Sequence, residues 1–285
     1  EVGATLAFRI KTPWYRTPWA SAGFLMAGAA ALGSLVAWRL RLVQQQKAEL
    51  EQKVAERTLE LAAANEALQR QSLTDPLTGL GNRRSLDAGI GGIMRRYLRS
   101  QGDPQGGRNR GLAFLLLDLD HFKTVNDTLG HAAGDRVLRQ LAGVIQGEVR
   151  ETDPIVRWGG EEFVVVATDT EQVEVPTLVE RIRQSVASTP FEVGLGEPVT
   201  KTVSIGFVAL PLHPDCPDWP GWEQALSLAD QCLYLAKATG RNRWVGIVPG
   251  PNPAQDPPST TLDLQRLEEQ GWVTRLEGPL SGPPA

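Results

Sequence analysis

Cysteine is nearly absent from this 285-residue chain. Only Cys216 and Cys232 occur, too few for a disulfide framework or a metal-ligand cluster. Cys232 falls in an apolar helical pattern and reads as a core residue. An excess of positive charge is also missing. Lys and Arg number 29 against 33 Asp and Glu, a formal net charge of −4. That balance excludes bulk binding of a nucleic acid polymer, although a few placed cations suffice for a single nucleotide. No Gly-x-x-x-x-Gly-Lys-Ser/Thr run occurs, which excludes a P-loop. The first residue is Glu1 rather than Met, so the chain is expected to be the C-terminal part of something longer. Its length allows one good domain plus extra segments.

Charge disappears altogether between Trp19 and Trp38, a stretch rich in Ala, Gly and Leu. Twenty helical residues reach about 30 Å, the thickness of a bilayer's hydrocarbon core. Trp14, Trp19 and Trp38 bracket the run as an aromatic belt would, and Arg16 and Arg39 close its ends. Residues 19–38 are therefore expected to form a transmembrane helix, with 1–18 as an extracytoplasmic juxtamembrane segment. The alternative is a buried helix of a soluble domain. Basic residues flank both ends (Arg9, Lys11 and Arg16 against Arg39, Arg41 and Lys47), so their distribution leaves orientation open. From Leu40 to Gln71 a heptad can be laid down on Leu40, Val43, Lys47, Leu50, Val54, Arg57, Leu61, Ala64, Leu68 and Gln71. Seven of these ten are apolar and no Gly or Pro interrupts them, so 39–72 reads as a parallel dimeric coiled coil. A single amphipathic helix lying on the following domain is the alternative.

Two acidic stretches carry the chemistry. In Arg157-Trp-Gly-Gly-Glu-Glu-Phe163, two glycines join short apolar runs, the pattern of a β-hairpin. The glycines leave room for a ligand near the backbone, and Glu161 and Glu162 should face different ways. Upstream, the apolar run Ala113–Leu117 ends abruptly in Asp118-Leu119-Asp120. A buried strand that delivers carboxylates at its end can hold Mg²⁺. If hairpin and strand lie side by side, Asp118, Glu161 and a substrate phosphate can share a metal pair and support phosphoryl or nucleotidyl transfer.

Helices and strands otherwise alternate. Asn82 can cap a helix after the turn signals of 73–81, and Gly102–Arg110 reads as a flexible loop. Helices are expected near 137–145, 175–188 and 222–238, and a strand over Val203–Val208. A small antiparallel excursion is expected at 191–202, and a short last strand after Gly240-Arg-Asn-Arg243. From 249 to 285 the chain is Pro-rich and expected to be a disordered tail, with one short amphipathic piece near Leu262–Leu276. The sum is an α/β sandwich with a mixed or mainly antiparallel sheet.

Gly159-Gly160-Glu161-Glu162-Phe163 resembles the signature of GGDEF-domain diguanylate cyclases, in the GGEEF variant. The resemblance runs from about Leu73 to Trp244 and rests on several separated motifs in order. Among them is Asp75-x-Leu-Thr-x-Leu-x-Asn-Arg83, the family's wide turn between signalling helix and catalytic domain. It implies a catalytic domain over 73–248 with a palm-like βαββαβ core and a mainly antiparallel sheet. It also implies condensation of two GTP into cyclic di-GMP and two pyrophosphates, with two Mg²⁺ per site and Mn²⁺ as a substitute. By this resemblance Asp118, Glu161 and the Leu119 carbonyl bind the metals. Glu161, Glu162, Gly159 and Gly160 form the catalytic signature, with Glu161 the candidate base. Asn126 and Asp135 match guanine-reading positions, with Phe122 and His131 in the same stretch. Lys123, Lys237 and Arg241 match phosphate-binding positions. Arg150-x-x-Asp153, with Arg181, matches the family's product-inhibition site for cyclic di-GMP. Because GTP is cytoplasmic, residues after 38 are expected to be so, on a single-pass inner-membrane protein dimerised by its coiled coil. Phe8–Tyr15 resembles the last strand of the small β-sandwich that precedes the membrane in propeller-type sensor proteins; a juxtamembrane linker is the alternative. A catalytically inactive GGDEF module serving as a GTP or cyclic di-GMP receptor is the alternative function.

Overall fold

A computed structural model describes residues 14–16, 18–71, 73–101, 111–194, 196–251 and 262–278. The chain forms two compact units, Glu1–Gln71 and Ser72–Ala285. The propeller-sensor resemblance at 8–15 falls almost wholly outside the described residues.

In the first unit, the apolar run and the heptad region join as one 54-residue helix, α1 (Pro18–Gln71). Its N-terminal part is long and apolar enough to cross a membrane, and none of that stretch is buried within the protein. Leu40, Val43, Leu50 and Val54 of the heptad are exposed. The charged seam residue Lys47 lies 3.7 Å from Glu51, and Arg57 lies 2.6 Å from Glu60. Such exposed pairs along one helix contribute only a few tenths of a kcal/mol each.

The second unit runs β1 (Gly81–Asn82), α2 (Arg83–Gln101), β2 (Leu112–Leu119), α3 (Phe122–Leu129), α4 (His131–Glu148), β3 (Ile155–Gly159) and β4 (Glu162–Thr168). It continues through α5 (Val175–Ser188), β5 (Pro190–Phe191), β6 (Val199–Thr200), β7 (Val203–Leu210), α6 (Trp222–Ala238), β8 (Trp244–Pro249), α7 (Leu264–Glu269) and β9 (Val273–Glu277). Seven strands form one sheet in the order β1-β3-β4-β2-β7-β8-β9, and β5 pairs with β6 apart from it. The sheet is mixed, which corrects the expectation of a mainly antiparallel one. β1 and β3 are parallel, and so are β7 and β8. α6 returns the chain to the end of the sheet where β7 began, so β8 must run alongside β7 in the same direction.

All eight residues of β2 are buried. The strand has neighbours on both edges and helices on both faces, and alternate side chains feed two cores. Leu115, Leu117 and Leu119 pack with Val125, Leu138 and Ile182 of α3, α4 and α5. Leu112, Phe114 and Leu116 pack with Ile90 of α2 and Ala229 of α6. α6 approaches β7 closely at Gly206, where a Cβ would collide with the Ala229 carbonyl and the Leu233 backbone.

The C-terminal segment departs from the expected disordered tail. Leu262, Leu264, Leu267, Trp272 and Val273 are buried. β9 pairs antiparallel with β8 from Val245↔Glu277 to Pro249↔Val273. The strand caps an edge that would otherwise present unpaired backbone groups, and the apolar residues of α7 cover the adjoining core. The amphipathic piece expected near Leu262–Leu276 is this segment, and what the flanking prolines hid is its pairing with β8.

Gly206→Ala is expected to lower unfolding stability by about 1–3 kcal/mol, because α6 must lift from the sheet. Denaturant unfolding of the variant against wild type measures it; equal stabilities would show that α6 has slack.

Candidate functional site

The hairpin expected from sequence forms between β3 and β4, with Gly160 and Glu161 as its turn. Gly160 has φ +54°, a left-handed conformation that L-residues rarely adopt. A Cβ at Gly159 or Gly160 would meet nothing within 4 Å, so the space over the turn is open. The register shifts between Arg157 and Gly159, which leaves Trp158 as a bulge. The turn is braced from outside: Arg157 donates from Nε and Nη2 to the Gly160 carbonyl at 2.9 and 2.8 Å, and from Nη1 to Asp75 at 3.2 Å. Asp75 also accepts from the Thr78 backbone and hydroxyl. Burial pushes its carboxyl up, but the bonds from Thr78 and Arg157 outweigh that and hold it below the usual range. The turn before β1 is thereby fastened to the hairpin tip.

β2 lies beside that hairpin, as the sequence argument required. Asp118 stands opposite Glu162 on β4 and opposite Ser204 on β7. The Leu119 N–H donates to the Glu161 carbonyl at 3.4 Å. Asp118 is 7% exposed, and Lys237 of α6 places its Nζ 2.7 Å from Asp118 Oδ2. Burial drives the Asp118 carboxyl above its ordinary range; Lys237 pulls it down, while Glu161 and Asp120 push it up. Burial likewise raises Glu162, with Asp118 adding to the shift. Carboxylates crowded in a partly dry site favour a cation.

Asp120 is different. Its oxygens accept from Thr202 Oγ1 at 2.6 Å, Ser204 Oγ at 2.7 Å and the Asn242 N–H at 2.9 Å. It is a clamp tying the 240–243 loop to the end of β2, not an open ligand.

Could this set hold a divalent cation? Among the described residues no group of three or more His, Cys, Asp or Glu is placed to hold a metal ion. Asp118 and Glu161 are close enough for their charges to interact, and Lys237 already touches Asp118; with the Leu119 carbonyl they would make an open set. Such a set suits Mg²⁺, which keeps few protein ligands and completes its shell with water and substrate phosphate. The donors fit.

The other residues expected at the site fall into three groups. Phe122, Lys123 and Asn126 lie on α3, and His131 and Asp135 on α4. Asn126 sits against Gly134, where a Cβ would collide with its Oδ1. Phe122 is buried, Asn126 and Asp135 half-buried, and Lys123 and His131 exposed. Arg241 is exposed, at φ 60°, next to the clamped Asn242. Arg150 and Arg181 line one cavity of about 450 Å³ with Glu148 and Thr177. There Arg150 Nη1 donates to the Thr168 and Asp169 carbonyls, and Arg181 pairs with Glu148 at 2.7 Å. Asp153 is buried and already engaged by Thr168 N–H, Thr168 Oγ1 and Arg150 N–H. It shapes that loop and lines the same cavity as the two arginines.

Asp75, Arg157 and Asp120 stand in the motifs quoted from sequence, but their roles as supports had no local signal, and Gly134 beneath Asn126 was not singled out. A larger cavity, about 600 Å³, lies behind Glu162 between Arg83, Trp158 and Trp222. The Arg83 guanidinium stacks 4.4 Å from the Trp158 ring there. It does not include Asp118 or Glu161, so the chemistry is not centred on it.

Residues 72–243 match the family model described as "Diguanylate cyclase, GGDEF domain". "Response regulator PleD" of Caulobacter vibrioides is 42% identical over 176 residues, 61% of this chain and 36% of the relative. "Diguanylate cyclase DgcP" of Pseudomonas aeruginosa is also 42% identical over 176 residues, 61% of this chain and 24% of the relative. The chain thus spans about a quarter to a third of the length of these curated relatives. The crystal structure of the coiled coil and GGDEF domain of DgcB from Caulobacter crescentus, in complex with c-di-GMP, is 32% identical with a TM-score of 0.50. That match covers 68% of this chain and 96% of the other. α7 and β9 lie beyond the span that the family model matches.

The raised Asp118 carboxyl has a measurable consequence. Its folded-state pKa lies above the unfolded value, so the neutral form is favoured and ionisation works against the fold. The penalty is absent below the unfolded pKa and appears as pH rises through the folded one. Asp118→Asn is expected to raise Tm near pH 7 in chelator-treated buffer. The difference should shrink toward pH 4. A lower Tm at pH 7 would mean that the Lys237 pairing outweighs the burial.

Proposed function

Because the chain belongs to the GGDEF diguanylate cyclase domain family, we propose that it condenses two GTP into cyclic di-GMP and two pyrophosphates. The observation that supports this most is the junction of β2 with the hairpin: the buried Asp118 beside the open Gly160–Glu161 turn, with the Lys237 ammonium against it.

In this reading Asp118, Glu161 and the Leu119 carbonyl hold two divalent cations, Mg²⁺ or in substitution Mn²⁺. When bound, the cations neutralise charge on the triphosphate and on the oxygens between which phosphorus is transferred. Lys237 and Arg241, with Lys123, hold the phosphates. Asn126 and Asp135 present an amide and a carboxylate to the acceptor and donor edge of guanine. Phe122 packs beneath, and His131 lies at the mouth. Gly159 and Gly160 leave the α-phosphate room to approach the turn. The 3′-hydroxyl of one GTP attacks the α-phosphate of the other, its proton passes to the Glu161 carboxylate, and pyrophosphate leaves. Half-buried Glu162 backs the turn. Product formation needs two such sites face to face, since each domain holds one GTP. The α1 heptad supplies the parallel dimer and raises the effective concentration of the two domains. The apolar start of α1 anchors the dimer in the inner membrane as a single pass, with the catalytic unit in the cytoplasm.

The cavity carrying Arg150 and Arg181 supports feedback by cyclic di-GMP. Guanidinium groups suit bidentate contacts with phosphate and guanine, and this cavity is separate from Asp118.

Incubating the chain with GTP and Mg²⁺ and analysing the nucleotides tests the activity. Asp118→Ala and Glu161→Ala should each lower turnover at least about a hundredfold with the fold retained. Near-normal synthesis by either folded variant would refute the metal assignment. A wild-type chain that binds GTP without forming product would favour the receptor function instead. For feedback, Arg150→Ala should abolish the slowing of progress curves as product accumulates, with an initial rate within about twofold of wild type. Absence of product inhibition in wild type would remove the regulatory assignment.

A further inference from the structure

Residues 262–278 lie outside the family-matched span, yet their end contacts Arg243 and Trp244, just after the loop that follows α6. The link is Arg243, whose side chain is 2% exposed. Its Nη1 donates to the Thr239 carbonyl at 2.9 Å, at the end of α6 and two residues past Lys237. Its Nη2 donates to Glu277 Oε2 of β9 at 3.2 Å and to the Gly278 carbonyl at 3.4 Å. Its Nε has no hydrogen-bond partner. Among the described residues, Glu277 is the one carboxylate paired with this buried guanidinium. A buried charge without a counter-charge is strongly disfavoured, so Glu277 decides whether Arg243 stays in place.

The backbone beside Arg243 is strained. Gly240, Arg241 and Asn242 have φ of 129°, 60° and 46° in succession. Such a run persists only where surrounding contacts over-determine it. Asp120 accepts from the Asn242 N–H at 2.9 Å, and Arg183 donates to Asn242 Oδ1 at 2.7 Å. Arg183 pairs in turn with Glu180, which accepts from Trp244 Nε1 at 3.0 Å. The end of β9 passes directly over that indole: Gly278 N–H donates to the Trp244 carbonyl at 2.7 Å, and a Cβ on Gly278 would enter the ring. Glu277, Arg243, Trp244, Glu180, Arg183 and Asn242 thus enclose the loop that carries Arg241 and follows Lys237.

We propose that Glu277 is a positioning residue for the nucleotide. Through Arg243 it fixes the end of α6 and the strained loop, so that Lys237 and Arg241 present their charges to the triphosphate. This rests on the cyclase reading above, and it makes the α7–β9 segment a working part of the site.

The test uses the full chain with Glu277→Ala, Glu277→Gln and Arg275→Ala. Arg275 shares Glu277 Oε1 at 3.2 Å and serves as a control for the surface half of that pairing. Two quantities are read: calorimetric affinity for a non-hydrolysable GTP analogue with Mg²⁺, and hydrogen exchange of amides 239–243. Glu277→Ala should weaken the analogue about tenfold, raise KM for GTP more than it lowers kcat, and speed exchange of the loop. Glu277→Gln keeps an acceptor but no counter-charge and should recover only part of both effects, and Arg275→Ala should change neither. Wild-type affinity and exchange in Glu277→Ala would overturn the proposal. So would a smaller active fraction with unchanged affinity, the signature of a merely structural role. A wild-type chain that fails to bind the analogue would overturn the cyclase reading, and loop exchange would still decide whether Glu277 holds the loop.

Discussion

The site depends on one unfavourable placement: the Asp118 carboxylate held almost out of water at the end of a strand buried on both faces. β2 cannot move, because its backbone is paired on both edges and its side chains fill two cores. The charge is therefore delivered to a fixed point. Burial pushes it toward the neutral form. Lys237 offsets part of that tendency, and the remainder is a standing preference for a cation. In the proposed function, the same feature that works against stability would prepare the domain for a metal–triphosphate ligand, a trade-off usual at functional sites.

Around this point the fold supplies supports rather than more ligands. Asp120 fastens the loop after α6 to the end of β2. Arg157 fastens the hairpin turn to the chain before β1. Gly134 lets Asn126 settle against α4. Arg243 and Glu277 bring the last strand of the sheet to bear on the same loop from the far side. Asp120–Asn242, Arg157–Asp75 and Arg243–Glu277 each join residues far apart in sequence. Preorganisation of this kind lowers the reorganisation needed when a highly charged ligand arrives.

Much of the central site was legible in the sequence because its signals are local. An apolar run that stops at Asp118, and a Gly-Gly turn followed by Glu161 and Glu162, each declare themselves within a few residues. The supports were not legible, because nothing local pairs Asp75 with Arg157 or Arg243 with Glu277. Asp120 illustrates the limit well. It lies two residues from Asp118 and looks equally able to bind a metal, yet three donors from distant elements occupy it. Asp153 is similar: its spacing from Arg150 is visible in sequence, its engagement by Thr168 is not. Strand direction also escaped local reading, since the parallel β7–β8 pair follows from how α6 crosses the sheet. β9 was hidden because a five-residue strand between prolines resembles a tail until its partner strand is known.

The central claim is that a divalent cation and a guanine nucleotide meet at Asp118. Calorimetric titration of Mg²⁺ into the chain saturated with a non-hydrolysable GTP analogue tests it most directly, with the analogue's own Mg²⁺ binding subtracted. The account predicts a protein-dependent binding heat that is lost in Asp118→Asn while the variant stays folded. Equal Mg²⁺ binding by wild type and Asp118→Asn would contradict it.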